Sequence, residues 1–255
     1  GAPELRGTGA LTGGAFGDFQ APLIRSAFDY RDHLLRSNLT FWRTGQPVVE
    51  VDASLPFDLA LSGAPARRRL PGPLTILATG DSVDLAIIEA FTPNLRRVTG
   101  ILDMDARVEG SWANPRLAGE VRLRDGGADV PALGVRYGPM TGSFRFRGDS
   151  IVTEKLTVQG KSGALTITGG VRLEELTRPV LGLTISAREF DLIDVDDYLK
   201  VRATGNVRLS GTPSHPVLTG IGRLTRSVVF FSDLITKDIV NLEDPLNADL
   251  VDTLQ

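Results

Sequence analysis

Apolar and polar residues alternate with a period of two over most of the chain. From Ala164 to Leu173 the odd positions carry Leu165, Ile167, Val171 and Leu173. Leu181, Leu183 and Ile185 alternate with Gly182, Thr184 and Ser186, and Leu156 and Val158 with Thr157 and Gln159. Phe144 and Phe146 alternate with Arg145 and Arg147; Val121 and Leu123, then Val207 and Leu209, repeat the pattern. A strand turns successive side chains to opposite faces, so these runs predict half-buried strands with one apolar and one polar side. Turn chemistry falls between them at Asp125-Gly126-Gly127, Gly148-Asp149, Lys161-Ser162-Gly163 and Ser210-Gly211. Strands at this spacing predict an antiparallel all-β architecture. One short helix of two turns is predicted within 81–91, capped by Asp81 or Ser82 and stopped before Pro93. Phe190 to Leu199 holds the matching place one repeat later.

The pattern itself recurs. Gly110, Pro115, Leu117, Gly119 and Leu123 map onto Gly211, Pro216, Leu218, Gly220 and Leu224 at a constant offset of 101 residues. Pro3, Leu5, Gly7 and Leu11 repeat the spacing from the proline onward. Asp84-Leu85 maps onto Asp191-Leu192 at an offset of 107, so the later copy is six residues shorter between that point and the Gly-Pro phrase. Phe28, Tyr30 and Arg31 pair with Phe144, Phe146 and Arg147 at an offset of 116. We read unit one as residues 1–82, unit two as 83–189 and the start of unit three as 190–255, with an irregular tail from Asp233. Arg67-Arg68-Arg69, flanked by Pro65, Pro71 and Pro73, marks an exposed loop before the second unit. The chain opens inside the phrase, so we expect a fragment of a longer protein. An internal repeat predicts an array that works through the surface its units share.

The order of these elements is a short helix, a hairpin, the phrase G-x4-P-x-L-x-G, then alternating strands ending in Gly163-Ala164-Leu165-Thr166-Ile167-Thr168-Gly169. It resembles the AsmA-like superfamily and, within it, the TamB-type translocation and assembly module proteins. The residues that carry the resemblance are Val83-Asp84-Leu85, Leu102 to Gly110, Pro115 to Leu123 and Gly142 to Leu173, repeated from Phe190 to Leu224. The resemblance implies an elongated, repeat-built antiparallel sheet curled into a U-shaped, taco-like trough with an apolar interior. It implies a periplasmic protein of a diderm bacterium, anchored in the inner membrane, with an outer-membrane barrel of the Omp85 class as partner. The implied activity is conducting phospholipids between the two membranes; the alternative is a β-rich scaffold that assists outer-membrane protein assembly through its strand edges.

The residues alone leave two architectures open. Strands with one apolar face must cover it, and this chain has little helix to serve as a cover. Either two sheets face each other as a solid sandwich, or one curled sheet surrounds an apolar filler such as acyl chains. The resemblance favours the trough. On that reading the lining is Phe144, Phe146, Leu156, Val158, Leu165, Ile167, Val171, Leu173, Leu181, Leu183 and Ile185.

Composition narrows the chemistry. The chain has 42% hydrophobic and 23% charged residues, an ordinary globular balance. Its formal charge of −3 offers no basic surface for nucleic acid. It has no cysteine, which excludes thiol catalysis, disulfides and Cys-ligated zinc. No run approaches the roughly 20 apolar residues of a membrane-spanning helix. Gly160-Lys161-Ser162 looks like the end of a phosphate loop, but Lys155 stands where its first glycine belongs and a turn is the better reading. Gly7-Thr8-Gly9 lacks the third glycine of a dinucleotide fingerprint. His33 and His215 are isolated turn residues. Asp191, Asp194, Asp196 and Asp197 lack the spacing of a calcium loop and read as a solvated, weakly helical face. Arg122, Arg124, Arg145, Arg147, Arg172 and Arg208 lie on the polar side of their strands, suited to solubility or to lipid phosphates at a rim. We expect no enzyme, no metal and no cofactor.

Overall fold

The structure is a computed structural model that describes residues 3–16, 19–43, 46–60, 68–90, 92, 94–195 and 199–229. Asp196, Asp197 and the tail from Asp233 lie outside the described residues. The strands are β1 (Leu5–Phe16), β2 (Phe19–Arg31), β3 (Leu34–Arg43), β4 (Gln46–Pro56), β5 (Leu74–Asp84), β6 (Arg96–Gly110), β7 (Pro115–Val130), β8 (Val135–Gly148), β9 (Ser150–Gln159), β10 (Ala164–Glu175), β11 (Arg178–Val195), β12 (Leu199–Thr212) and β13 (His215–Val229). They form one 13-stranded antiparallel meander in which every strand pairs with its neighbours in sequence. At about 4.8 Å per strand the sheet is roughly 58 Å long. It is open and curled, and β1 and β13 do not meet to close a barrel.

The curl has a local cause. Pairing slips between Gly80 and Val83 on β5, Arg96 and Ile101 on β6, Leu123 and Ala128 on β7, and Ala187 and Ile193 on β11. Ser82, Arg97, Asp125 and Glu189 adopt positive φ at these slips. A bulge inserts a residue on one strand and bends it, so a row of bulges folds the sheet along a line. Asp125-Gly126-Gly127, expected as a turn, is one of these bulges, and β7 continues through it to Val130. Ser210-Gly211 likewise lies inside β12, and the chain turns at Pro213-Ser214 instead.

The expected helix is a 3-10 segment, Leu85–Ala90, that begins only after β5 has run through Asp84. Its later counterpart is not helical. β11 extends through Val195, where Asp191 pairs in register with Arg202 and Asp194 with Lys200. Pairing with β12 supplies the backbone partners that a helix there would otherwise have to find.

The repeat is visible in the register. Gly110 pairs with Pro115, and Gly211 with Pro216; both glycines have positive φ, at 100° and 86°. Ala106 pairs with Gly119, and Val207 with Gly220. Ala78 on β5 pairs with Ala106, as Ile185 on β11 pairs with Val207. The offset is thus 107 residues up to β11 and 101 from β12 onward. The six-residue difference falls in the connection that carries the 3-10 segment in the earlier copy.

Both long edges of the trough are laced. On one, Phe57 N–H donates to the His33 carbonyl (2.9 Å), Trp112 Nε1–H to the Pro56 carbonyl (3.1 Å) and Leu176 N–H to the Trp112 carbonyl (2.8 Å). On the other, Leu85, Val98, Leu123 and Ala128 form a small buried cluster beneath the 3-10 segment. Tyr137 stacks on Phe190 with ring centroids 5.2 Å apart, and its hydroxyl donates to the Leu192 carbonyl (2.9 Å).

Candidate functional site

Residues directly opposite each other in an antiparallel pair share a face. One row can therefore be followed across all thirteen strands: Gly9, Ser26, Leu39, Val51, Ala78, Ala106, Gly119, Phe146, Ile151, Val171, Leu181, Gly211, Pro216. Apart from Ser26 it holds only apolar residues and glycine. A neighbouring row on the same face runs Val83, Leu102, Leu123, Gly142, Leu156, Ile167, Ile185, Val207, Gly220. The opposite face carries Arg25, Thr40, Glu50, Thr79, Asp105, Glu120 and Arg145 in one row. The sheet thus has an apolar side along its whole length and, opposite it, a polar row from β2 to β8, which continues beyond β8 through Val152, Gly170, Gly182, Ser210 and Val217.

Among the described residues no second sheet lies on the apolar side: the principal contacts of each strand are with its sheet neighbours. Burial agrees. Phe146, Ile151, Val171, Leu181, Ile167 and Ile185 are half-buried. Fully buried side chains such as Tyr30 and Leu74 sit at strand ends. A solid sandwich would bury these central rows completely, because packed interiors leave no open side.

The eleven residues expected to line the groove lie on β8 to β11. Phe146, Val171 and Leu181 share the first row, and Leu156, Ile167 and Ile185 the second. Val158 pairs with Leu165, Leu173 with Pro179, Leu183 with Leu209, and Phe144 with Val121. Val158 is buried and the other ten are half-buried. The apolar side also includes residues outside that set: Leu39 and Val51 in the first half, Met104 and Val121 in the middle, and Ile151, Val207 and Leu209 toward the end. Val49 and Val51 alternate with Glu50, so the same period-2 signal was present there.

Four of the six arginines expected on the polar face meet a carboxylate. Arg122 pairs with Glu120 (2.8 Å), Arg124 with Asp103 (2.6 Å), Arg145 with Glu154 (2.5 Å) and Arg172 with Glu174 (3.4 Å). These arginines stand on the side away from the apolar rows. Of the expected solvated carboxylates, the two that are described, Asp191 and Asp194, are engaged. Arg202 donates to Asp191 (2.8 Å), Asp191 accepts from the Ser162 N–H (2.7 Å), and Lys200 lies 3.2 Å from Asp194. The hydrogen bond from Lys200 is the main cause holding the Asp194 carboxyl below the usual range. His215 opens β13 beside Ser214, and His33 stands in the β2–β3 turn next to Tyr30.

At the second edge Asp129 accepts from both Arg97 and Arg136. Burial alone would raise its pKa, but the two guanidinium groups outweigh that and hold it below the usual range. A carboxylate whose folded pKa is depressed contributes stability above its unfolded value of about 3.9, and that contribution is lost as pH falls through the folded value. Asp129→Asn should therefore destabilise the chain at neutral pH and make the loss of stability on acidification shallower. Urea midpoints measured from pH 6 down to pH 2.5 check this; an unchanged acid slope would place Asp129's influence elsewhere.

The fold and its uncovered apolar side define an open, elongated β-trough. Residues 153–244 match the family model of the TamB C-terminal domain. The TamB-type resemblance read from the sequence therefore holds across β9 to β13, and it points to a TamB-like role in outer-membrane biogenesis and to the cell envelope. Comparison with curated proteins and with solved structures found no match in either. No helix among the described residues is long and apolar enough to cross a membrane.

Proposed function

We propose that the chain is a segment of a periplasmic conduit along which phospholipids pass between the inner and outer membranes, their acyl chains lying on the apolar side of the trough. The observation that carries this reading is the row from Gly9 to Pro216, apolar or glycine on every strand except at Ser26, with no second sheet over it among the described residues. Such a surface is costly to leave in water. Each acyl methylene laid on it gains about 0.8 kcal/mol. The headgroups stay at the slit, in water. On this reading the chain performs no covalent chemistry and needs no cofactor. Its partners are the acyl chains, an Omp85-class outer-membrane barrel and the inner membrane reached through an anchor elsewhere in the parent protein. Native mass spectrometry of the purified chain should find co-purified phospholipid, released by mild activation. A uniformly lipid-free protein from a membrane-rich expression host would count against the conduit.

A second reading rests on β13. It pairs only with β12 among the described residues, and it exposes Leu218 at 63% and Ile221 at 84%. An edge of this kind suits strand addition by a nascent barrel protein. Peptide binding that survives substitutions in the apolar rows would favour that scaffold role.

A further inference from the structure

One recess in the molecule combines cations, an aromatic platform and an apolar floor. It lies at the first laced edge, where the segment before β5, the β6–β7 turn and the β10–β11 turn converge, and its volume is about 1030 Å³. Phe57, Leu70 and Trp112 supply its apolar surface, and Arg68, Arg69 and Arg178 its charge. The one carboxylate that lines it, Glu175, is engaged by Arg178 at 3.1 Å. Among the described residues neither Arg68 nor Arg69 has a carboxylate within 4.0 Å. On the polar face Arg122, Arg124, Arg145 and Arg172 each meet one, and Arg147 and Arg208, which among the described residues do not, have no aromatic platform beneath them.

Both guanidinium groups are held in place by neutral partners. Arg69 lies over the Trp112 ring, 5.5 Å from its centroid, and donates to the Thr177 hydroxyl at 2.5 Å. Arg68 donates through one nitrogen to the carbonyls of Asp58 (3.2 Å) and Ala60 (3.1 Å). A guanidinium has five N–H donors, so each keeps donors to spare. The platform is itself fixed, since Trp112 is tied to Pro56 through its indole N–H. Pre-placed guanidinium forks without a carboxylate suit a phosphate, whose oxygens they bind in pairs. The apolar rows begin beside the recess, at Leu74 and at the Gly110–Pro115 pair.

We propose that this recess is a headgroup station: Arg68 and Arg69 bind the phosphate of an amphiphile whose acyl chains lie on the apolar side of the trough. The inference rests on the lipid reading for the acyl chains, while the phosphate chemistry stands on the arginines alone. Free phosphate offers the same oxygens, so the test separates the two sources.

Trp42→Phe leaves Trp112 as the sole indole among the described residues, and its emission reports on the recess. This protein is titrated with dihexanoyl phosphatidylglycerol below its micelle concentration, with dihexanoylglycerol, which has the same chains and no phosphate, and with inorganic phosphate. Phosphatidylglycerol should shift the Trp112 emission, and R68Q/R69Q should raise its Kd at least about tenfold while changing dihexanoylglycerol binding, read by calorimetry, less than about twofold. Equal phosphatidylglycerol affinity in the variant overturns the station and leaves the groove intact. Inorganic phosphate binding as tightly as the lipid overturns the headgroup assignment in favour of free phosphate. A Trp112 response to phosphate with no binding of either lipid sinks the conduit reading and leaves only an anion site. Arg68 helps to fix its segment, so R69Q alone, with circular dichroism as the check on folding, serves if the double variant misfolds; R69K should restore part of the affinity.

Discussion

Replacing Ile167 with Asp is expected to strip the chain of bound phospholipid while leaving it folded. Ile167 stands in the second apolar row between Leu156 on β9 and Ile185 on β11. It is half-buried, so in the empty trough a carboxylate at this position still reaches water. The folded chain then loses only part of one side chain's burial, about 1 kcal/mol. A lipid crossing the same point must lay its methylenes on a charge and strip that charge of water, which costs several kcal/mol. Co-purified lipid should fall at least about tenfold, a change that about 1.4 kcal/mol already produces. Native mass spectra and urea curves on the same preparations separate the two effects. Wild-type lipid loading in Ile167→Asp would remove this row from the path, and wholesale unfolding would mean that the row is packed core.

The second large effect is on stability. Gly119→Val should destabilise the chain by about 3 kcal/mol through strain and backbone collision. Gly119 has φ +115°, which side chains rarely adopt, and a Cβ there runs into the Asp105 carbonyl on β6. Gly182→Ala is the matched control. That glycine has no positive φ, and the nearest atom to an added Cβ is the Gly170 carbonyl oxygen at 3.6 Å, so the change should stay within about 0.5 kcal/mol. Denaturant midpoints of the two variants test the difference. Hydrogen exchange should place the damage in β6 and β7, because each strand leans mainly on its two neighbours. Equal midpoints for the two variants would show that β6 and β7 part easily at this point.

These expectations draw on features that differ in how far the sequence reveals them. Period-2 alternation around Leu165, Ile167, Leu181 and Ile185 identified the strands and the side each residue faces, because pairing preserves side from strand to strand. The offset of 101 residues between Gly110 and Gly211 identified equivalent register pairs, because both glycines meet a proline at the head of the next strand. The Asp125-Gly126-Gly127 bulge was misread as a turn, because a bulge and a turn draw on the same residues and only the partner strand tells them apart. The strand from Phe190 to Val195 was hidden by Asp191 and Asp194, which are matched by Arg202 and by Lys200 and Lys161 from other elements. The recess around Trp112 was not visible at all. It joins Pro56, Arg69, Trp112 and Thr177, which no local pattern relates, and only the curl of the sheet brings them together.

The Gly-Pro phrase returns on β1, β7 and β13, every sixth strand. Six strands add about 29 Å of trough. Duplicating one such unit would lengthen the structure by that increment and leave every apolar row in phase, since a new β7-like strand enters the sheet where the old one did. Inserting a single strand would reverse chain direction at the junction and exchange the two laced edges. On the conduit reading, a protein built this way would match the distance between two membranes only in whole steps of its repeat.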